Sequence, residues 1–243
     1  MPLCPPHPRQ ARVYRGFTLV ELLTVMSIVA ILVGILVPAV GVVQRKVNES
    51  KSHVLFQSVI TSFDAYKSEY GRYPIFFKDL QASPNPWATD HNEIDYTFML
   101  NDGNAILRRV LTADSAYLVS VSAPGSINYN KLAIRFLNLT DDNIDARVYG
   151  TPDNPFIVDG FKNPQIGMVV HSGSHQEINK DAFTSAKAVG YPDDTGVSMQ
   201  PKVNRNLPQV IAMYSLIQPI NGDPVNSLWC TNWPYIEYSN DNN

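Results

Sequence analysis

The stretch LLTVMSIVAILVGILVPAVGVV, residues 22–43, decides the fold class of this chain. It contains twenty-two consecutive residues without a charged side chain. A helix of this length rises about 33 Å at 1.5 Å per residue, which is enough to cross a hydrocarbon core of about 30 Å. The sequence therefore predicts one membrane-spanning helix near the N-terminus.

A polar, basic segment precedes this run. It carries Arg9, Arg12 and Arg15 without an acidic side chain, and its prolines at positions 2, 5, 6 and 8 do not suit a helix interior. Under the positive-inside rule, the arginines keep this segment in the cytoplasm. We therefore expect the remainder of the chain on the other side of the membrane, in the periplasm.

A carboxylate, Glu21, stands at the head of the apolar run, where membrane insertion disfavours a charge. The run is also longer than the core of about 7 to 15 residues that a secretory signal peptide uses. One explanation is that Glu21 lies among the lipid headgroups and favours the positive end of the helix dipole, by a few tenths of a kcal/mol. The position of Glu21 alone does not decide between this explanation and a more specific role.

The residues around Glu21 favour a more specific explanation. The sequence Arg15-Gly16-Phe17-Thr18-Leu19-Val20-Glu21 resembles the prepilin peptidase site of the type IV pilin and pseudopilin family. The resemblance implies that residues 1–16 are a leader removed by cleavage after Gly16, and that the new N-terminal Phe17 is methylated. It also implies that Phe17, Glu21 and Pro38 act in filament assembly, where Glu21 is the family's glutamate and Pro38 its helix-weakening proline.

Cleavage at Phe17 would give Glu21 a partner of opposite charge. A carboxylate packed among apolar helices costs several kcal/mol unless it is paired, and a free α-amino group is a cation at neutral pH. The amino group lies four residues from Glu21 on the same helix, and a neighbouring subunit's amine would serve equally well. The resemblance implies the pairing across subunits.

The helix is predicted to continue beyond the membrane. After a polar interface at residues 44–46, apolar side chains follow at steps of four, four, three and four along one face: Leu55, Val59, Phe63, Tyr66 and Tyr70. Gly71 and Pro74 then favour an end. The sequence therefore predicts one helix from about Phe17 to Tyr70, with a membrane half at 17–43 and an amphipathic half at 44–72.

The residues after the helix predict a globular periplasmic domain, 73–243. The turn Tyr70-Gly71-Arg72-Tyr73-Pro74 resembles the YGxYP turn of G-type pseudopilins, and Asp159, Asn163 and Pro164 partly match a DPWGNPY element of pseudopilin-like proteins. We expect a helix at 104–112, with Arg108 and Arg109 exposed, then strands at 116–121, 132–136, 147–149, 156–158, 166–171 and 210–216. An insertion is expected around 173–207, and a tail packed by its aromatic side chains at 229–238. The expected fold class is α+β, a pilin-like fold with the long helix packed on an antiparallel sheet.

The sequence holds no recognisable catalytic motif. Its five histidines form no zinc pattern, and it lacks a P-loop, a GxGxxG and a GxSxG. Residues His171 and His175 are four apart, but a turn sequence separates them. We therefore expect no enzyme activity and no cofactor.

Calcium is the one metal that the sequence leaves open, because some G-type pseudopilins bind it. Hard oxygen ligands of the kind that calcium prefers occur in two groups, Asp141, Asp142, Asn143 and Asp145, and Asp153, Asn154 and Asp159. Neither has EF-hand spacing, and solvated turn residues are the favoured explanation. The metal site is therefore unknown.

The composition bears on two further partners. The net charge of −3 and the pI near 5.9 give no overall basic surface, so nucleic acid is not an expected partner. Removal of the leader would remove Cys4 and leave Cys230 as the single cysteine. A buried thiol is the favoured state for Cys230, with an intermolecular disulfide as the alternative.

The resemblance implies a structural subunit of a type II secretion pseudopilus. Its implied partners are prepilin peptidase, other copies and minor pilin subunits, and an inner-membrane assembly platform with a cytoplasmic ATPase. The implied location is the bacterial inner membrane, then a periplasmic or surface filament. An adhesive, motility or DNA-uptake type IV pilin is the first alternative; major adhesive pilins often carry a C-terminal disulfide loop that a single cysteine does not allow.

A soluble secreted protein is the second alternative. The sequences Val37-Pro38-Ala39 and Ala39-Val40-Gly41 each resemble the small-x-small pattern that ordinary signal peptidase cuts. That reading predicts a mature N-terminus at Val40 or Val42. It explains neither the acidic residue at the head of the run nor the helical stripe that continues to Tyr70.

Overall fold

The computed structural model describes residues 17–71, 73, 83–84, 95–114, 130–146, 155–171, 176–184, 186, 188–190, 198–218 and 227–233. The chain divides into two compact units, residues 1–45 and 46–243. Helix α1, Leu19–Tyr70, contains the boundary between them. The two units are taken in turn.

The first unit is the N-terminal part of α1. Its large apolar side chains between Leu19 and Val43 are exposed, each by about half or more of its surface. The helix is long and apolar enough to cross a membrane by length and composition, a test that a signal sequence near an N-terminus also meets. Apolar side chains exposed at this density require a cover of lipid or of other chains.

The end of α1 lies in the second unit and follows the sequence prediction. The helix stops at Tyr70, and Gly71 adopts a left-handed conformation with φ of 71°. The Gly71 amide donates a hydrogen bond to the Lys67 carbonyl oxygen at 2.8 Å. A glycine here ends the helix without the steric penalty that a Cβ would bring at positive φ.

A five-stranded antiparallel sheet forms the centre of the second unit. Its strands are β1 (Ser83–Pro84), β2 (Asp95–Met99), β5 (Ile166–His171), β8 (Ile211–Gln218) and β9 (Leu228–Thr231), in the order β1-β2-β5-β8-β9. Among the described residues, two short antiparallel pairs lie outside this sheet: β3 (Ile144–Asp145) with β4 (Phe156–Ile157), and β6 (Val189–Gly190) with β7 (Ser198–Met199). Helix α2, Asp102–Thr112, follows β2. The predicted α+β class, a long N-terminal helix with an antiparallel sheet domain, is confirmed.

The amphipathic half of α1 covers one face of the sheet. Its apolar stripe is buried, as predicted, and joins side chains of α2 and of the sheet in one core: Leu55, Val59, Phe63, Tyr66, Leu107, Leu111, Met168, Val170, Ile211 and Met213. Alternate residues of β8 point to the opposite face, because successive side chains of a strand alternate. The sheet therefore has a second buried face.

The described residues of the excursion at 176–207 cover that second face. Ile178, Phe183, Val189 and Leu207 pack with Val169 of β5 and with the other residues of a separate core: Ala212, Tyr214, Leu216, Trp229 and Trp233. A short 3₁₀ helix, Lys180–Thr184, carries Phe183 into this core. Strands β5 and β8 are thus buried on both sides.

Several local predictions had different outcomes. Strand 166–171 is confirmed, and the predictions at 156–158 and 210–216 correspond to β4 and β8. The predictions at 116–121 and 147–149 lie outside the described residues. A strand at 132–136 is wrong, because residues 133–140 have no regular structure.

The predicted exposure of Arg108 on α2 is also wrong. Arg108 is 7% exposed, and its Nη1 lies 3.6 Å from Asp114 Oδ2. Burial lowers the pKa of the Arg108 guanidinium, and the nearby Asp114 carboxylate opposes this effect. The helical amphipathic pattern misplaced this side chain because the long apolar stem of arginine can lie along a core.

Candidate functional site

The head of α1 holds the residues that the sequence motif singled out. Thr18 and Glu21 form a reciprocal capping box there. The Thr18 amide and hydroxyl both donate to Glu21 Oε2, at 2.8 and 2.9 Å, and the Glu21 amide donates to the Thr18 hydroxyl oxygen at 3.2 Å. These bonds satisfy amide groups that the first turn of a helix otherwise leaves without partners.

This arrangement gives Glu21 a role within its own helix. Both hydrogen bonds from Thr18 reach one carboxylate oxygen, and no donor from the described part of the chain reaches the other oxygen, Oε1. The carboxylate therefore keeps capacity for a cation while it caps the helix. The signal for the cap, a threonine followed three residues later by a glutamate, was present in the sequence and was missed.

The other motif residues stand as follows. Phe17 precedes α1 and is 79% exposed, which makes it an accessible apolar side chain. Gly16 lies outside the described residues. Pro38 lies within α1, and its side chain is outside the described set. Their roles in cleavage and assembly stay predictions.

The second candidate region is the loop 158–165, which carries the partial DPWGNPY match. Asp159 is fully buried there. Its Oδ1 accepts hydrogen bonds from the amides of Phe161 and Asn163, at 2.9 and 2.8 Å, and its Oδ2 accepts one from the Ser215 hydroxyl at 2.8 Å. Burial raises the pKa of the Asp159 carboxyl, against the lowering effect of these bonds.

Asn163 fastens the same loop to the centre of the sheet. Its side-chain amide donates to the carbonyl oxygens of Gly190 and Leu216, at 3.0 and 3.2 Å, while its Oδ1 accepts from the Gln165 amide at 2.9 Å. The loop therefore joins β8 to the excursion. The matched Asp159 and Asn163 are thus structural hydrogen-bonding residues.

Gly160 brings this loop against α1. Its amide donates to the Ser52 hydroxyl at 2.9 Å, and a Cβ on Gly160 would overlap the main-chain carbonyl of Asn48. Only glycine allows an approach this close. Nearby, Lys51 Nζ lies 3.1 Å from Asp142 Oδ2, an exposed ion pair that ties α1 to the 141–145 segment.

The turn after α1, the YGxYP match, is held by hydrogen bonds and aromatic contacts. The Tyr70 hydroxyl donates to Asn130 Oδ1 at 2.8 Å and accepts from the Leu132 amide at 3.2 Å. The Tyr73 hydroxyl donates to Asp64 Oδ1 at 3.4 Å, and Lys67 Nζ lies 4.4 Å from the centre of the Tyr73 ring. Both tyrosines therefore fix the chain as it leaves the helix. Arg72 and Pro74 lie outside the described residues.

The acidic groups considered for calcium do not converge in the part of the chain that is described. Asp141 and Asp142 are exposed in a short 3₁₀ helix, Asp141–Asn143, and Asp142 pairs with Lys51. Within the described ranges, no three His, Cys, Asp or Glu side chains are grouped as metal ligands. Asp153 and Asn154 of the second group, and His175 of the histidine pair, lie outside those ranges. Calcium binding is therefore untested.

Cys230 lies beneath α1 next to the buried Asp159 carboxylate. It is 1% exposed and has a free thiol. Burial, followed by the negative charge of Asp159, raises the pKa of the Cys230 thiol to about 12. A buried, protonated thiol does not suit nucleophilic chemistry or disulfide exchange.

Comparison with known proteins bears on the head of α1. Residues 11–37 match the family described as the prokaryotic N-terminal methylation motif. No curated protein and no solved structure matches the chain. The matched segment contains the capping box of Thr18 and Glu21 and most of the apolar run. The methylation motif at the head of an exposed apolar helix supports a place for this chain among type IV pilin-like proteins.

Proposed function

We propose that this chain is a structural subunit of a type IV pilin-like filament, and more narrowly of a type II secretion pseudopilus. One observation carries the proposal: the methylation motif at 11–37 stands at the head of a helix whose apolar side chains are exposed. The helix anchors the subunit in the inner membrane. The same apolar surface then packs against other copies, and the subunit has no enzymatic role.

Processing is the step that prepares the helix for assembly. Prepilin peptidase cleaves between Gly16 and Phe17, and methylation follows at Phe17. The new amino group supplies a cation for the Glu21 carboxylate, whose Oε1 accepts no hydrogen bond from the described residues. The intrahelical cap satisfies Glu21 in part before assembly, and the amine of a neighbouring subunit completes it.

The choice of a secretion pseudopilus over a type IV pilus has two supports. The turn at 70–74 resembles that of G-type pseudopilins, and the processed chain would hold one cysteine, Cys230, which is buried. Deletion of the gene in the source organism separates the two functions. A pseudopilin mutant accumulates secreted proteins in the periplasm and keeps twitching motility and DNA uptake, whereas a pilin mutant shows the reverse.

Intact-mass and N-terminal peptide analysis of the protein from native membranes tests the proposal directly. We expect a mature chain that begins at methylated Phe17 and stays in the membrane or filament fraction. A soluble product that begins at Val40 or Val42 would show ordinary signal-peptidase release and overturn it. The variant Glu21→Ala is expected to be processed and membrane-bound but absent from filaments.

A further inference from the structure

A turn in the second unit, Asn130 to Ala133, is held rigidly where α1 ends. The Ala133 amide donates to the Asn130 carbonyl oxygen at 3.1 Å, and the Asn130 side chain bonds both the amide and the carbonyl of Ile134. The Tyr70 hydroxyl accepts from the Leu132 amide at 3.2 Å. Ala133 has a φ of 51°, which a residue other than glycine keeps only where its surroundings enforce it. The turn is therefore fixed in one shape.

The side chains that this turn presents are basic and apolar. Lys131, Leu132 and Arg135 are exposed, and Leu132 leaves 59% of its surface open. Arg135 Nε donates to the Thr112 carbonyl oxygen, which uses one of its five donors. Among the described residues, neither Lys131 nor Arg135 forms an ion pair with a carboxylate. Two cations beside an exposed leucine suit an acidic protein surface. Residues 130–135 are called the basic turn below.

An acidic segment, Asp141–Asn143, lies at the other end of the packed half of α1. Of the described carboxylates, only those of Asp141 and Asp142 are adjacent in sequence and both exposed. Asp142 pairs with Lys51, and Lys162 Nζ donates to the Asp142 carbonyl oxygen at 2.6 Å. Asp141 forms no ion pair within the described residues. Asp141 is therefore the carboxylate of this segment that is left for a partner.

The basic turn and the acidic segment are well separated along α1. Lys51 contacts the acidic segment and Tyr70 contacts the basic turn, and the helix rises about 28 Å between them at 1.5 Å per residue. Opposite charges at two ends of one subunit favour contact between different ends of two copies. Such a contact repeats from copy to copy, and it builds an open helical filament where the rotation does not close a ring.

We propose that the basic turn of one copy docks on the acidic segment of a second copy in the filament. Lys131 pairs with Asp141 of the second copy, Arg135 adds a second cation, and the contact covers Leu132. Both surfaces belong to this chain, and copies held in one membrane meet at a high local concentration. This inference rests on the proposed function, which supplies the filament, and it adds a contact outside the apolar head of α1.

Charge exchange in cells that assemble filaments tests this contact. Lys131→Glu and Asp141→Lys should each lower the sheared-filament yield about fivefold, because an attraction is replaced by a repulsion. The combined variant Lys131→Glu/Asp141→Lys should recover most of the yield, since its two surfaces are complementary again. Lys180→Glu makes the same charge change at an exposed lysine of the excursion and should assemble like wild type. Immunoblots of the membrane fraction and thermal unfolding of each solubilised variant control for amount and folding.

Cysteine cross-linking locates the contact independently of charge. A disulfide between Lys131→Cys and Asp141→Cys has to join two copies, because the two positions lie at opposite ends of the packed half of α1 within one copy. Filaments of this double variant should give a ladder of dimers, trimers and longer products on non-reducing gels. Lys180→Cys/Asp141→Cys, the matched control, should give monomers. Cys230 stays in place because it is buried.

Two results would overturn the contact while leaving the proposed function intact. One is a wild-type filament yield from both Lys131→Glu and Asp141→Lys, or a combined variant no better than the single ones. The other is the absence of a ladder from Lys131→Cys/Asp141→Cys, or an equal ladder from the control. The absence of filaments from the wild-type protein would instead remove the proposed function, and this contact with it.

Discussion

Gly160 and Asn48 meet main chain to main chain, because the Gly160 α-carbon lies so close to the Asn48 carbonyl that a Cβ would overlap its oxygen. The added Cβ would also lie 2.9 Å from Lys51 Cβ. Helix backbone cannot move aside without disturbing its own hydrogen bonds. The loop 158–165 therefore packs directly against the backbone of α1, and any side chain at position 160 would disrupt this contact.

The substitution Gly160→Ala tests this fit. Because the overlap is with helix backbone, we expect a loss of about 1–3 kcal/mol in the free energy of unfolding. Ser52→Ala is the comparison, since it leaves Gly160 in place and removes the hydroxyl that accepts from the Gly160 amide and donates to the Asn48 carbonyl oxygen, which should cost about 1 kcal/mol. Urea unfolding of the solubilised protein, followed by tryptophan fluorescence, measures both. A Gly160→Ala protein as stable as wild type would refute the close packing.

The Asp159 carboxyl predicts a specific dependence of stability on pH. Its folded-state pKa is raised by burial, so the folded protein holds this proton at pH values where the unfolded chain releases it. The contribution of Asp159 to stability is therefore greatest below about pH 4, the ordinary value for Asp, and falls as pH rises through the folded pKa.

Two variants isolate this contribution. Asp159→Asn keeps an acceptor oxygen for the amides of Phe161 and Asn163 and can donate to Ser215. We expect the stability of Asp159→Asn relative to wild type to rise between pH 4 and 7. Asp159→Ala leaves buried donors unsatisfied and should lose about 2–4 kcal/mol at pH 7. A relative stability of Asp159→Asn that falls over this range would contradict the raised pKa.

Cys230 should be unreactive in the folded protein. Its thiol is buried, with a pKa raised to about 12, so little thiolate forms at neutral pH. In a Cys4→Ser background, Ellman's reagent is expected to label Cys230 only in denaturant. Rapid labelling of the native protein, or a reducible dimer in native membranes, would favour the intermolecular disulfide instead.

Tyr70 links the end of α1 to Asn130, sixty residues away in the chain. Tyr70→Phe keeps the ring contacts and removes the hydroxyl, which should cost about 1 kcal/mol in unfolding free energy. Asn130→Ala should cost more, because the Asn130 amide also donates to the carbonyl oxygens of Val110 and Ile134. Thermal unfolding of both variants checks this order, and equal losses would assign the effect to the tyrosine bond alone.

The long helix was predictable because its apolar side chains recur with one constant spacing. The stripe from Leu55 to Tyr70 follows the 3.6-residue repeat, and Gly71 supplies the left-handed end. Strand 166–171 was predictable because its apolar run is continuous. Both signals are local in sequence.

The strand prediction at 132–136 failed because side-chain hydrogen bonds there replace the backbone pairing of a β-sheet. Residues 132–136 are rich in apolar side chains, yet Asn130 exchanges hydrogen bonds with both the amide and the carbonyl of Ile134, and Ala133 adopts a φ of 51°. The amides of Phe136 and Leu137 then donate to Leu111. The Asn130 side chain thus satisfies the backbone groups of Ile134 that a neighbouring strand would otherwise pair with.

The sequence of β8 contained a signal for a second buried face of the sheet, although the sequence analysis did not predict one. Strand β8 is apolar at nearly every position from Ile211 to Ile217, which indicates burial on both faces. Such a strand requires a second layer, and the excursion supplies it. Which segment does so depends on contacts distant in sequence, which a local pattern does not contain.

The last prediction separates the two roles of Glu21. Glu21→Gln keeps an oxygen that accepts from Thr18, so the capping box survives, but it removes the charge that a neighbouring amine would pair with. Thr18→Ala does the opposite, weakening the cap by about 1 kcal/mol while the carboxylate stays. If assembly depends on charge pairing, Glu21→Gln should be processed but lost from filaments, and Thr18→Ala should show the smaller loss. Thr18→Ser, which keeps the hydroxyl, serves as the control. Immunoblots of membrane and sheared-filament fractions, with N-terminal mass analysis of each variant, give the measurement. Normal filaments from Glu21→Gln, together with their absence from Thr18→Ala, would assign the function of Glu21 to the cap.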